Sequence, residues 1–149
     1  ADYSSNILRI KSGATTFDTT FAIDMKTYQF PAEFNRLFAY NNKVYTTIPS
    51  RAVSYYGGGQ HGVKYRDDVW FWNEIDATSK KATRLNIPVD NFYCNQNPFF
   101  HNGEIYFLSN NATDGFSGVT QYNPTSGATK ETFRLKESGR ILGFNIIKD

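Results

Sequence analysis

Two kinds of short hairpin alternate along the chain, and this internal repetition limits the fold more than any other feature of the sequence. One kind surrounds a polar turn, written Ser-Gly-Ala-Thr at 12–15 and again at 126–129, with a weaker copy at 78–80. The other kind surrounds Asn41-Asn42 or Asn102-Gly103, residues that accept the positive φ of a two-residue hairpin turn. The alternation predicts a unit of four short antiparallel strands that recurs about every 50 residues.

The amino-acid composition favours strands over helices. Aromatic side chains make up 17% of the chain, alongside many Thr, Asn and Gly residues, and this mixture suits pleated surfaces joined by turns. Since no window of a dozen residues combines helical spacing of apolar residues with freedom from Gly and Pro, we predict an all-β chain. Repeated four-stranded antiparallel blades describe a partial β-propeller better than a sandwich. The alternative is a small irregular sandwich or barrel closed within these residues.

The repeats divide one predicted propeller domain, residues 1–149, into parts of successive blades. These parts are 1–35 as the end of a blade, 36–96 as a second blade with long loops, 97–139 as a third blade, and 140–149 as a closing or next-blade strand. Complete four-stranded sheets are expected at 36–86 and 97–135. Because a propeller ring needs at least about four blades, we expect the chain to be the C-terminal part of a longer protein whose remaining blades complete the ring, or to be completed by another chain.

Charge, cysteine and histidine content argue against several classes of protein. The chain has 16 Lys and Arg residues against 14 Asp and Glu residues, a balance too even for a general nucleic-acid binder. The single Cys94 cannot form an internal disulfide, and the two His residues are too few for a zinc cluster. No stretch approaches the roughly 18 apolar residues of a membrane-spanning helix. We therefore predict no nucleic-acid partner, no metal site and no cofactor.

The spacing between repeats shows where the chain has gained residues. The interval from Ser12 to Ser79 is twenty residues longer than the interval from Ser79 to Ser126, with six extra residues at about 23–35 and fourteen at about 49–68. Alternate connections of an antiparallel meander lie at the same end of the strands, so both insertions are expected at one end, opposite the tight turns. We call it the enlarged end. Long connections on a rigid scaffold usually hold binding or catalytic residues.

The longer insertion provides most of the candidate ligand-binding residues. Up to Arg66 it contains three cations, three tyrosines and no acid, a combination that suits an anionic, partly aromatic ligand. A second amide-rich and aromatic connection, at 89–97, adds one tyrosine. The predicted ligand-binding residues are Arg51, Tyr55, Tyr56, Gln60, His61, Lys64, Tyr65, Arg66 and Tyr93. The alternative is a solvated loop whose tyrosines pack on neighbouring blades.

Other conspicuous residues favour structural roles. Trp70 and Trp72 alternate with apolar residues in a predicted strand, and this pattern is typical of packing between blades. His101 follows Phe100 beside a tight turn, so it is expected near the opposite end from His61. The two histidines therefore cannot share a metal ion, and no catalytic residue is predicted.

Several motifs resemble a known family. The run 55–62 (Tyr-Tyr-Gly-Gly-Gly-Gln-His-Gly), the run 67–72 (Asp-Asp-Val-Trp-Phe-Trp) and the turn at 102–107 (Asn-Gly-Glu-Ile-Tyr-Phe) resemble the C-terminal half of secreted propeller lipoproteins from Gram-negative gut anaerobes. The resemblance spans most of 34–149 and includes no catalytic signature. It implies an eight-bladed or similar propeller, anchored at the cell surface through a lipid-modified Cys upstream of this chain or secreted.

The resemblance also implies a function, because the family includes xenosiderophore-utilisation lipoproteins that bind ferric enterobactin. We expect capture of a ferric catecholate siderophore for delivery to a TonB-dependent outer-membrane receptor, with iron present only inside the siderophore. One alternative is a propeller enzyme acting on carbohydrates or lactones, which would need convergent carboxylates or a His-bound metal. A protein-interaction scaffold is the other, and it would expose a broad apolar patch.

Overall fold

The computed structural model describes residues 6–24, 28, 35–50, 70–91, 96–136 and 139–147, and within these ranges it contains strands and no helix. The strands are β1 (Asn6–Leu8), β2 (Ala22–Asp24), β3 (Asn35–Tyr40), β4 (Lys43–Pro49), β5 (Trp70–Asp76), β6 (Ala82–Arg84), β7 (Phe99–His101), β8 (Glu104–Asn111), β9 (Phe116–Tyr122) and β10 (Thr129–Arg134). The predicted all-β class is confirmed for this part of the chain, which also contains no helix able to span a membrane.

The strands form two four-stranded antiparallel sheets and one two-stranded sheet. Strands β3 to β6 make the first sheet and β7 to β10 the second, each with its strands in chain order, while β1 pairs with β2 as an N-terminal hairpin. The two predicted four-stranded units, at 36–86 and 97–135, are confirmed. Such sheets are compatible with propeller blades, and the ring itself stays a prediction.

Matching turns show that the two sheets are repeats of one unit. Both tight turns, Asn41-Asn42 and Asn102-Gly103, have positive φ at both positions, as the sequence predicts. In the polar turns, a side-chain oxygen of Asp76 or Asn123 accepts hydrogen bonds from the backbone N–H groups two and three residues later. A left-handed residue follows in each polar turn, Lys80 with φ 58° and Gly127 with φ 75°.

The two four-stranded sheets pack face to face around an aromatic core. Tyr45 and Trp72 of the first sheet contact Ile105, Phe107 and Tyr122 of the second, and all five side chains are buried. The Trp72 ring lies 4.8 Å from the Phe107 ring in an edge-to-face arrangement, a geometry that stabilises beyond area burial alone. The prediction that Trp70 and Trp72 serve packing is confirmed, since both are fully buried.

Shorter segments cover the outer faces of this pair of sheets. Ile7 and Ile23 of the N-terminal hairpin pack on Val44 and Ile75 of the first sheet. On the far side, residues 139–147, the C-terminal segment, place Ile141 and Phe144 against the second sheet at a cluster centred on Leu108 and Val119. The order of layers is N-terminal hairpin, first sheet, second sheet and C-terminal segment.

The first polar turn differs from its predicted copies. Gly13 has the expected left-handed conformation with φ 78°, but the strand that pairs with β1 begins only at Ala22. Asp18 explains the delay, because its carboxylate binds the Arg9 guanidinium at 2.6 Å and also accepts the Thr20 N–H. The hairpin predicted around this turn was expected to have its second strand directly after residue 15, and this placement is wrong because that strand begins at Ala22.

The strand predicted at 140–147 is also not formed. Side-chain amides hold the C-terminal segment in place of a backbone ladder. The Gln96 amide bonds both the N–H and the C=O of Phe144 at 2.8 Å, and the Asn110 amide bonds both groups of Ile141 at 3.1 Å. These two amides satisfy the same backbone groups that a neighbouring strand would satisfy.

Candidate functional site

The long connections lie together at one end of the sheets. The turns at 41–42, 77–81, 102–103 and 123–128 lie at the opposite end of the antiparallel strands. The positions where β2 leads to β3, where β4 leads to β5 and where β6 leads to β7 therefore all belong to the enlarged end. Both predicted insertions begin and end there, as expected from the repeat spacing.

The nine predicted ligand-binding residues lie outside the described residues. Eight of them belong to 51–69, between β4 and β5, and Tyr93 belongs to 92–95, between β6 and β7. Their assignment to ligand binding stays a prediction. The structure describes the strand ends and the residues 90 and 91 from which these two connections start, together with a neighbouring cleft.

A buried ion pair lies beneath the enlarged end. The Arg36 guanidinium contacts the Asp90 carboxylate at 2.6 Å, with side-chain exposures of 1% and 0%. Arg36 also lies over the Trp72 ring at 5.5 Å and donates to the Leu108 carbonyl at 3.4 Å. Because an isolated buried charge is costly, this guanidinium and its counter-charge stay together, and they join β3 to the connection that follows β6.

The same connection is fastened to both sheets by backbone hydrogen bonds. Asp90 exchanges two such bonds with Trp70 at the start of β5, at 3.1 and 2.9 Å. Its second carboxylate oxygen accepts the Asn110 N–H at 2.7 Å, and the Asn91 N–H donates to the Asn110 carbonyl at 2.8 Å. Residues 90 and 91 thus bridge the first and second sheets at the enlarged end.

A cleft of about 570 Å³ opens beside this bridge. Its polar lining comes from Asn91, Asn110, Asn111, Ser117 and Arg140, and Phe116 supplies an apolar wall. Arg140 is exposed, whereas the three asparagines are almost fully buried. The volume is ordinary for a small-molecule site, and a guanidinium beside amide groups suits a ligand with several oxygen atoms.

Hydrogen bonds fix the floor and rim of the cleft. The Asn110 side-chain oxygen accepts the Ser117 hydroxyl at 2.6 Å, and the Ser117 hydroxyl oxygen accepts the Ile141 N–H at 3.0 Å. At the rim, the Asn111 side chain bonds both the N–H and the carboxylate of Asp114. The turn 112–115 is therefore held rigidly against β8, and the cleft is preformed.

A second polar cluster lies between the sheets toward the tight turns. The hydroxyls of Tyr45 and Tyr122 both donate to the same Glu74 oxygen, at 3.1 and 2.9 Å, and Lys43 contacts the other oxygen at 2.7 Å. Burial, assisted by the Glu74 carboxylate, raises the pKa of Tyr122 to about 12 and raises that of Tyr45. This cluster belongs to the sheet interface and is remote from the enlarged end.

Sequence reasoning identified only part of this site. The amide-rich connection at 89–97 was recognised as a candidate, and it provides Asp90 and Asn91. Arg36, Asn110 and Ser117 were missed, because each contacts residues far away in sequence, and Arg140 was missed because it belongs to no recognisable motif. One residue could have indicated the ion pair. Arg36 is a charged residue at the start of the predicted four-stranded unit 36–86, and a charge that is buried in a sheet needs a partner of opposite charge.

Among the described residues, no group of three or more His, Cys, Asp or Glu side chains is arranged to hold a metal ion. His101 lies in β7 beside the tight turn at 102–103, at the end predicted for it. Comparison of the chain with protein-family models, with curated proteins and with solved structures found no match, so the family resemblance rests on the sequence motifs alone.

Proposed function

We propose that this chain is part of a surface or secreted capture protein whose enlarged end binds an anionic, oxygen-rich aromatic ligand. A ferric catecholate siderophore fits this description best. The observation that supports the proposal most directly is the cleft beside Asn91, which has Arg140 on its lining and opens at the end that received the insertions. A cleft that is already formed before binding lowers the entropic cost of binding a ligand.

The chemistry of the insertion agrees with this ligand class. Arg51, Lys64 and Arg66 would add three positive charges to that of Arg140, and charge-assisted hydrogen bonds to anionic oxygens are about twice as strong as neutral ones. The tyrosines of the insertion offer flat rings and hydroxyl donors to catecholate rings. The siderophore itself fills the coordination shell of the iron, so no protein ligand to the metal is required.

Delivery of the captured siderophore to a TonB-dependent outer-membrane receptor completes the proposal. This step and the surface location follow from the family resemblance. No additional cofactor enters the scheme, because iron is cargo inside the ligand.

A binding titration with matched variants tests the proposal. The triple variant Arg51→Ala, Lys64→Ala, Arg66→Ala removes three charges from the insertion. The control variant Lys80→Ala, Lys81→Ala, Lys130→Ala removes three exposed charges at the opposite end, so the change in net charge is identical. Quenching of tryptophan fluorescence by added ferric enterobactin reports the affinity of each protein.

We expect the insertion variant to lose affinity by about 1–3 kcal/mol, roughly 5- to 150-fold, and the control variant to bind like wild type. Raising the salt concentration should weaken wild-type binding, because partly exposed charges are screened. Equal affinities of the two triple variants would exclude the insertion as the anion site. Absence of wild-type binding would favour the carbohydrate enzyme or the scaffold instead.

A further inference from the structure

The two tight turns of the repeated unit share a backbone conformation but differ in the contacts that hold them. The turns at 41–42 and 102–103 occupy the same place in the two sheets, and both have positive φ at each position. Asn42 is anchored to the neighbouring polar turn. Its carbonyl accepts the Ala77 N–H at 2.9 Å, and its side-chain amide donates to the Thr78 hydroxyl at 2.9 Å. The turn at 41–42 is therefore fastened to the strand connection beside it.

The turn at 102–103 lacks both of these anchors. The register of the second sheet places Pro124 where the first sheet has Ala77, and proline has no N–H to donate to the Gly103 carbonyl. Within the described part of the chain, the Asn102 side chain makes no hydrogen bond. Both turn residues are exposed, and nothing lies within 4 Å of the position that a Cβ would take on Gly103. Neither packing nor hydrogen bonding protects this pair from reaction in water.

We propose that Asn102 is a site of spontaneous deamidation, with water as the co-reactant. The Gly103 backbone nitrogen, once hydroxide has removed its proton, attacks Cγ of Asn102. The new N–Cγ bond closes a succinimide ring while the Cγ–Nδ2 bond breaks, and ammonia leaves with a proton taken from water. Water then opens the ring at either carbonyl, which yields aspartate or, where the main chain now passes through Cγ, isoaspartate.

The residue that follows Asn102 and the strand that precedes it both favour this reaction. Glycine has no Cβ to hinder the attack or to restrict the backbone. The attack needs a backbone conformation other than that of the tight turn, so the hairpin has to open locally. β7 has three residues and lies at the edge of its sheet, and local opening of such an element costs less than global unfolding.

Deamidation at this turn acts on the packing of β7. Isoaspartate adds a methylene group to the backbone of a two-residue turn, which then no longer matches the pairing of β7 with β8. Phe100 of β7 stacks on Tyr40 of the first sheet with ring centres 4.2 Å apart. Phe99 lies 5.0 Å from Phe144 of the C-terminal segment. Isoaspartate therefore loosens the second sheet from the first and from the C-terminal segment.

Ageing of the intact chain in mildly alkaline buffer, followed by a chymotryptic digest and mass spectrometry, tests the proposal. Cleavage after aromatic residues releases peptides 41–45 and 101–106 from one sample, so the turn at 41–42 is an internal control. Gly103→Asn copies the control turn onto the second sheet, and Asn42→Gly places the reactive pair in the first. An unaged sample gives the baseline, and circular dichroism checks that both variants retain their strands.

We expect peptide 101–106 to gain the mass of OH in place of NH₂ several-fold faster than peptide 41–45, as separable aspartate and isoaspartate forms. Mildly acidic buffer should slow the gain, because the attacking nitrogen must be deprotonated. Gly103→Asn should slow it several-fold, and Asn42→Gly should raise it in peptide 41–45. Equal gains in the two wild-type peptides would overturn the proposal, and so would a gain in 101–106 that Gly103→Asn leaves unchanged.

Discussion

Replacement of Asp90 tests whether the buried ion pair holds the two sheets together beneath the enlarged end. Asp90→Asn removes the charge but keeps an oxygen that can accept the Asn110 N–H, now at 2.7 Å from the carboxylate. The Arg36 side chain, only 1% exposed, then lies buried without its counter-charge. Breaking a buried pair in this way costs about 3–5 kcal/mol, a large share of the 5–15 kcal/mol that stabilises an ordinary domain.

Urea unfolding followed by tryptophan fluorescence measures this loss, because Trp70 and Trp72 are both fully buried and Trp72 lies in the interface between the sheets. With a denaturant slope of about 1–3 kcal/mol per molar, a loss of 3 kcal/mol lowers the midpoint by about 1–3 M. Glu131→Ala is the matched control, since it breaks the Arg134–Glu131 pair, which has a similar 2.8 Å distance but exposures of 50% and 46%. That control should lose at most about 1 kcal/mol.

A second comparison separates the ion pair from simple packing. The double variant Arg36→Met, Asp90→Asn removes both charges and keeps an acceptor for the Asn110 N–H, and it should be much less damaging than Asp90→Asn alone, because no buried charge is left unpaired. If Asp90→Asn costs no more than Glu131→Ala, the pair does not support the interface and the reasoning is wrong.

Two further predictions concern the turns and the sheet interface. Lys80→Gly should stabilise the protein by about 1 kcal/mol, because Lys80 has φ 58° and the matching residue of the other polar turn is Gly127. A side chain in the left-handed region costs about 1–2 kcal/mol. An unchanged urea midpoint would contradict this prediction. Alkaline pH should lower the free energy of unfolding between pH 10 and about 12, because Tyr122 keeps its proton in the folded protein while an unfolded tyrosine loses it near pH 10. Tyr122→Phe should make that decline shallower and leave the part that Tyr45 contributes from pH 10 upward, because burial and the Glu74 carboxylate raise the pKa of Tyr45 as well.

The turns were predictable because their chemistry is local. Asn41-Asn42 and Asn102-Gly103 favour positive φ whatever surrounds them, so the sequence alone located both hairpins and, through their spacing, the enlarged end. The Ser-Gly-Ala-Thr motif at 12–15 shows the limit of this logic. Its glycine forms the expected turn. The second strand of the hairpin begins only at Ala22, however, because Asp18 binds Arg9 through a contact that lies outside the repeated motif.

The buried ion pair and the cleft beside it were much less predictable, because they depend on contacts between residues that are distant in sequence. Arg36 and Asp90 are 54 positions apart, and Asn110 bonds Ile141 across 31 positions. No periodicity connects such pairs. The same holds for the C-terminal segment, which was predicted to be a strand, because two side-chain amides bind its backbone groups instead.

The interface between the sheets has a charged cluster at each end and an aromatic core between them. Tyr45, Trp72 and Phe107 form the core, and sheets built from repeats of one unit could place such rings together in more than one register. The buried ion pair removes this freedom. Arg36 donates to the Leu108 carbonyl and Asp90 accepts the Asn110 N–H, and a shift of one residue between the sheets would break both bonds, at a cost of about 1–3 kcal/mol for each buried group left without its partner. The pair thereby fixes residues 90 and 91 against β8, and this placement sets the width of the cleft in which a ligand would have to fit.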